Sequence, residues 1–174
     1  MSIDDVSEPT PKPGEIKVQI KASSLNHMDI WVRNGIPGSG KLPLILGCDA
    51  SGIVVDVGSE VTRFSKNDRV FRVPLFGCRE CSYCKADMPN YCKNMKILGE
   101  HVDGTHREFI CVPETDAILF SDELSFVEGA SFGLAYLTAW HMLVTKGNIS
   151  KNHTALILGA NSGIGSAAIQ IAKH

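Results

Sequence analysis

The sequence predicts a mainly β fold: a partly open barrel that carries a cysteine-rich lobe, followed by the first β-α unit of a second, α/β domain. Three observations predict it. Short runs of alternating or β-branched residues recur between Gly/Pro turns over residues 15–120. Cys78, Cys81, Cys84 and Cys92 crowd into 15 residues. A glycine-rich turn at residues 159–165 then stands between a short apolar run and a helical stretch.

The elements follow in chain order. Residues 15–23 (EIKVQIKAS) alternate apolar and polar side chains, as a strand with one buried face requires, and they follow the turn signal Lys12-Pro13-Gly14. Residues 26–34 place Met28, Ile30 and Trp31 near helical spacing and end at Gly35; a Gly/Pro-rich loop over residues 35–43 comes next. Strands are expected at 50–58, 69–73, 105–112 and 117–120. Many short strands with such turns suggest a closed or nearly closed barrel.

Periodicity then changes from two to 3.6. Ser125 and Glu128 form a capping box, in which hydroxyl and carboxylate each satisfy a free backbone N–H. A helix is expected over 132–145, with Trp140 and Met142 on its apolar face and in the core. A short buried strand at 155–158 runs into the glycine turn, and a helix covers 166–173. These readings divide the chain into a barrel domain at 1–124 with a lobe at 76–100, a helical connection at 125–152 and the start of a nucleotide-binding domain at 153–174.

Composition sets limits. The chain has 174 residues, 44% hydrophobic and 21% charged, with a formal net charge of -2, which excludes a disordered chain. No stretch reaches the ~18 to 20 apolar residues of a membrane helix. The acidic, Pro-rich start is not a secretory signal, and no basic block marks a nucleic-acid partner. A cytoplasmic setting is therefore expected, where six cysteines favour metal binding over disulfides.

Cys78-x2-Cys81-x2-Cys84-x7-Cys92 has zinc-ligand spacing. Gly77 relaxes the backbone ahead of the first sulfur, and Pro89 and Asn90 bend it before the last. Four thiolates around a divalent ion leave a local charge of -2, which Arg79, Lys85, Lys93 and Lys96 are expected to offset in part. With every coordination position taken by protein, such a zinc is structural. Iron–sulfur runs are spaced differently.

Gly159, Asn161, Ser162, Gly163, Ile164 and Gly165 are the candidate cofactor-binding residues. Glycines let the backbone approach a pyrophosphate, whose charge is favoured by free N–H groups at a helix start. Asn161 stands where the dinucleotide fingerprint often has glycine, and Asn tolerates a left-handed backbone. The acidic residue that reads the ribose lies about 20 residues beyond the glycines, past His174, so the choice between NAD and NADP is open. A lone strand and helix form no stable sheet, so a longer protein is expected.

In this order the parts resemble the medium-chain dehydrogenase/reductase family, which includes zinc alcohol dehydrogenases and quinone oxidoreductases. The resemblance spans residues 11–174 and rests on SLNHMD (24–29), LPLILGCDASGIVVDVG (42–58), DRV (68–70), the cysteine lobe, LTAW (137–140) and GANSGIGSAAIQIAK (159–173). It implies a GroES-like barrel, then a Rossmann-type domain, with the active site in the cleft between them. The family's first strand is absent or shortened at the start of this chain. Thr138 matches a threonine that lies against the nicotinamide in the family.

The catalytic-zinc positions of the family read Asn26, Cys48 and Leu134 here, and its proton-relay positions read Met28 and Trp31. Leucine cannot bind metal and an amide oxygen binds zinc poorly, so the resemblance points to the zinc-independent reductase branch. The implied activity is hydride transfer from NAD(P)H to an enone, quinone or carbonyl by a full-length homo-oligomer, this stretch alone being inactive. Asp49 and His27 follow directly on cleft positions and are the candidate catalytic residues; a turn-forming acid and a structural histidine are the plain alternatives. His101, His106, His141 and His153 have no ligand-like spacing, and Cys111 reads as a packing residue. Rival readings are a zinc-dependent alcohol dehydrogenase, a non-catalytic zinc-stabilised module and a short-chain dehydrogenase.

Overall fold

Alternation at the front of the chain becomes β1 (Glu15–Ser24), whose Ile16 and Val18 are buried. The computed structural model describes residues 2–39 and 42–174. β1 pairs antiparallel with β2 (Asp49–Val57), with irregularities at Lys17/Val18 and Ile20/Ala22 that bend the ladder. β2 pairs with β3 (Arg69–Arg72) and β3 with β7 (Ala117–Leu119), while β6 (Phe109–Pro113) closes on the other side of β1. The order is β6-β1-β2-β3-β7, all antiparallel. Among the described residues β6 and β7 do not pair with each other, so the barrel is partly open. Its interior is apolar: Ile16, Val54, Val70, Ile110 and Val112 form one cluster with Cys48 and Phe64.

α1 (His27–Arg33) starts at Asn26, where the Asp29 carboxylate accepts from the Asn26 backbone N–H at 2.8 Å. Of the loop expected at 35–43, Gly40 and Lys41 lie outside the described residues. The strand expected from 105 begins only at Phe109. The preceding residues bend so that Thr105, fully buried, donates from Oγ1 to the Asp49 carbonyl at 3.1 Å.

β4 (Leu75–Phe76) and β5 (Lys96–Ile97) pair with each other and frame the cysteine lobe, which contains α2 (Ser82–Lys85) and a 3-10 turn at Pro89–Tyr91. Ser125 caps α3 (Phe126–Ser131) with the expected box, its Oγ accepting from the Glu128 N–H. α3 packs on β1 and β2. The long helix expected at 132–145 is α4 (Gly133–Trp140) continued by a π-helical segment, His141–Lys146.

Two expectations for this region fail. α4 buries Ala139 against Ala167 and Ala168 of α5 (Gly163–Lys173), so the neighbouring positions face away: Trp140 is 55% exposed and Met142 is exposed as well. The run at 155–158 is no strand. A ladder needs a neighbour, and no described strand lies beside it. Only Ile157 packs on the helices, while Leu156 and Leu158 are 87% and 83% exposed.

Candidate metal lobe, cleft and nucleotide turn

The short-range spacing of the four cysteines brings their sulfurs together: each Sγ lies within 4.8 Å of the other three. Tetrahedral zinc with bonds of about 2.3 Å sets sulfurs roughly 3.8 Å apart, so small side-chain movements suffice to seat one ion. Cys81 caps α2, Cys84 lies within that helix, and Cys92 follows the 3-10 turn. A side chain at Gly77 would overlap Cys84 Sγ, which explains the glycine by space rather than by flexibility alone. Left-handed backbone falls instead at Arg79 and Asp87, with φ of 66° and 57°.

Backbone N–H groups of Glu80 and Cys81 aimed at Cys78 hold its thiol down to about 6, favouring the thiolate that a metal needs. Burial and hydrogen bonding to Cys81, Cys92 and Cys78 push Cys84 up to about 12, because four sulfurs so close cannot all be charged without a cation among them. The Cys78 N–H also points at Cys92 Sγ, 3.4 Å away. Arg79 does not serve the thiolates as expected. Its guanidinium donates to Asp116 Oδ2 at 2.7 Å, beside Arg72 at 3.4 Å, and so fastens lobe to barrel.

At one end of the barrel the structure brings together the positions that the resemblance aligns. Asn26 donates from Nδ2 to Asp49 Oδ2 at 2.9 Å and lies 3.3 Å from Cys48 Sγ. The Leu134 N–H, at the start of α4, donates to Asp49 Oδ1 at 2.9 Å. A Cβ on Gly133 would overlap that same oxygen, so only glycine lets α4 come so near. Asp49 is 3% exposed and its carboxyl is pushed up by burial, against the opposing pull of donors from Asn26, Leu134 and Ser24. Cys48 is buried completely; burial, then Asp49 and Asp29, push its thiol far up. Asp29, which the sequence did not single out, ties α1 to the next loop by accepting from the Gly47 N–H at 2.9 Å. Its signal was the capping-box spacing from Asn26.

His27 is exposed, with its ring edge-on to Trp31 at 4.9 Å. Three of the other histidines are hydrogen-bonded: His101 Nδ1 accepts from the Ile97 N–H and His153 Nδ1 from the Ser150 N–H, both locally, while His106 Nδ1 faces the distant Ser23 hydroxyl. Cys111 is half-buried in β6. Among the described residues, the four lobe cysteines are the sole group of three or more His, Cys, Asp or Glu side chains placed to share one metal ion.

The glycine turn folds tightly into α5. Ser162 caps the helix, its Oγ accepting from the Gly165 N–H at 3.0 Å. A Cβ on Gly165 would overlap the Gly159 carbonyl, the close approach that demands glycine. The left-handed residue is Gly159, with φ of 67°; Asn161 is not left-handed, so its expected backbone role falls to its neighbour. The first N–H groups of α5 have no acceptor within the helix. Ala135 of α4 lies against Gly163 at the start of α5, and Thr138 follows one turn further along α4.

Residues 12–122 match the family described as the alcohol dehydrogenase GroES-like domain. Over 181 residues the chain is 32% identical to an NAD-dependent alcohol dehydrogenase of Sulfurisphaera tokodaii, covering 99% of this chain and 52% of that protein. It is 28% identical to acryloyl-coenzyme A reductase of Metallosphaera sedula, covering 97% of this chain and 51% of that one. A solved NAD-dependent alcohol dehydrogenase superposes with a TM-score of 0.93 at 42% identity, covering 98% of this chain and 50% of its own. The chain spans about half the length of the curated relatives it matches.

Proposed function

Since the chain belongs to the family of alcohol dehydrogenase GroES-like domains, we propose that it supplies the substrate side of an NAD(P)H-dependent reductase of enones, quinones or related carbonyls, with one structural zinc. The observation that carries this reading is the content of the cleft. Asn26, Cys48 and Leu134 meet around Asp49, and the Asn26 amide is already engaged by that carboxylate. Such a set offers one thiol, itself held neutral by burial, where a catalytic zinc would want three ligands and an open position.

The nicotinamide supplies hydride when bound. The residues of this chain orient and enclose. Gly159, Asn161, Ser162, Gly163, Ile164 and Gly165 receive the pyrophosphate on the α5 N-terminus, and Thr138 borders the nicotinamide. The Asp49 carboxyl holds Asn26 towards the cleft and keeps a proton at higher pH than an ordinary carboxyl. His27, open to solvent on α1, is the second group proposed to serve the substrate, by contact or as a proton source. Cys78, Cys81, Cys84 and Cys92 hold the zinc away from the chemistry. A small-molecule substrate and a homo-oligomeric, cytoplasmic enzyme complete the proposal. No described helix is long and apolar enough to cross a membrane.

A zinc-dependent alcohol dehydrogenase is the second reading, favoured by the likeness to the Sulfurisphaera tokodaii protein. Elemental analysis of the complete gene product separates the two, combined with NADH and NADPH oxidation across a panel of enones and aldehydes. One zinc per chain with enone reduction is expected. Two zincs per chain and alcohol oxidation would overturn the proposal.

A further inference from the structure

Among the described residues there are two separate apolar cores, and α4 reaches into both. Leu134, its second residue, packs against the barrel core. Ala139, further along the same helix, is fully buried in the other core with Ala167 and Ala168 of α5. Whatever seats α4 on the barrel therefore seats α5 and its glycine turn as well. Thr138, set beside the nicotinamide in the proposal above, rides on the same helix.

The seat is made at Gly133. A Cβ there would stand 2.0 Å from Asp49 Oδ1 and 2.8 Å from Asp49 Cγ, where ordinary contact begins at 3.4 Å. Gly133 has no positive φ, so space rather than backbone conformation demands the glycine. Asp49 cannot turn aside without releasing its partners. Its buried carboxyl accepts from Asn26 Nδ2 at 2.9 Å, from the Leu134 N–H at 2.9 Å and from the Ser24 hydroxyl at 3.4 Å. A methyl group at this position therefore drives the start of α4 outwards by about 1 Å, because a packed interior yields through its backbone.

Hydride transfer is sensitive to a movement of that size. Reacting atoms must meet at about 3–3.5 Å, and a misplacement of about 1 Å costs on the order of 100-fold in rate. We propose that Gly133 is a positioning residue, which sets the distance from the cofactor carried by α4 and α5 to the substrate held at Asn26. The inference rests on the reading of the protein as an NAD(P)(H) oxidoreductase, in whichever direction it runs. Since α4 and α5 share a core, they move as one unit when the seat is altered. The glycine turn then keeps its shape, and only the alignment of the two reactants changes.

Gly133→Ala in the zinc-loaded complete gene product tests the proposal, by fluorescence titration with NADH and NADPH and by the rate of 2-cyclohexenone reduction. Affinity for the preferred cofactor is expected to stay within about twofold while kcat falls at least tenfold. Should the unaltered protein oxidise ethanol instead, the enone reading fails, and the same split is expected in that reaction. Asp49→Ala supplies a second background, since only the Cβ of residue 49, at 3.6 Å, then faces the new methyl group. There Gly133→Ala is expected to leave the melting temperature unchanged, although in the native background it lowers that temperature or prevents folding. An unchanged kcat, a loss of cofactor affinity as large as the loss of kcat, or an equal fall in melting temperature in both backgrounds would overturn the proposal.

Discussion

Asn26 gives its side-chain N–H to Asp49 over 2.9 Å, so the first position of the cleft is held by the acid that lies beside the second. Asp49 also accepts the Leu134 N–H, and one carboxyl thereby joins β2, the α1 start and α4. Asp49→Ala removes the acceptor of the Asn26, Leu134 and Ser24 donors, at a cost of about 1–3 kcal/mol for each one left buried and unpaired. Asp49→Asn alone turns an amide towards the Asn26 amide. The exchanged pair Asn26→Asp with Asp49→Asn restores a donor to an acceptor, so thermal denaturation is expected to show the double variant more stable than Asp49→Asn.

Burial raises the Asp49 carboxyl, and the sign of its pH dependence follows. The native chain keeps this proton at a pH where the unfolded chain, titrating near 3.9, has lost it. The contribution is fully present below that value and is lost as pH rises to the folded value. The stability difference between the protein and Asp49→Asn, followed by urea titration from pH 3 upwards, should therefore shrink across that window and level off above it. A difference that grows with pH would contradict the raised value.

Asp116 offers a larger stability test. Arg72 is almost fully buried and Arg79 half-exposed, yet both bind this carboxylate. Asp116→Ala leaves Arg72 uncompensated, at roughly 3–5 kcal/mol. Arg79→Ala removes only a screened pair and should cost under about 1 kcal/mol. Chemical denaturation of the two variants measures the contrast, and equal losses would show that the ranking by burial is wrong.

Zinc should depend on the last cysteine as much as on the first three. Cys92→Ser is expected to drop the metal from about one per chain to well under half, by elemental analysis, and to loosen the lobe to proteolysis around α2. Full retention of zinc in this variant would remove Cys92 from the ligand set.

Gly165→Ala forces a methyl group onto the Gly159 carbonyl. Overpacking of this kind costs about 1–3 kcal/mol. In the complete gene product NADH affinity should fall at least tenfold, read by fluorescence titration, because the turn must open to relieve the clash. Gly163→Ala meets only an ordinary contact with Ala135, so its thermal stability, unlike that of Gly165→Ala, should be unchanged.

What could be read from the residues was what is local. The four cysteines lie within one loop, so their spacing already implied their meeting; the Ser125–Glu128 box and the β1 alternation are likewise short-range. Contacts across long loops gave no such signal. Nothing in the neighbourhood of Gly133 says that Asp49, 84 positions earlier, will occupy the space of its missing side chain. The ion pair of Arg79 was illegible for the same reason, since Arg79 finds Asp116 only after folding. At 155–158 hydrophobicity was taken for burial, but a strand needs a partner as well as apolar residues. Asn161 shows the reverse: a residue able to turn left-handed does so only where the backbone requires it, and here that is Gly159.

The exposure of Leu156 and Leu158 has a practical side. Two bare aliphatic side chains so close in the chain make a sticky seam against which another copy can pack. Concentrated solutions of this polypeptide should therefore clump along that seam long before the barrel melts, and a lysine at either leucine would keep them clear.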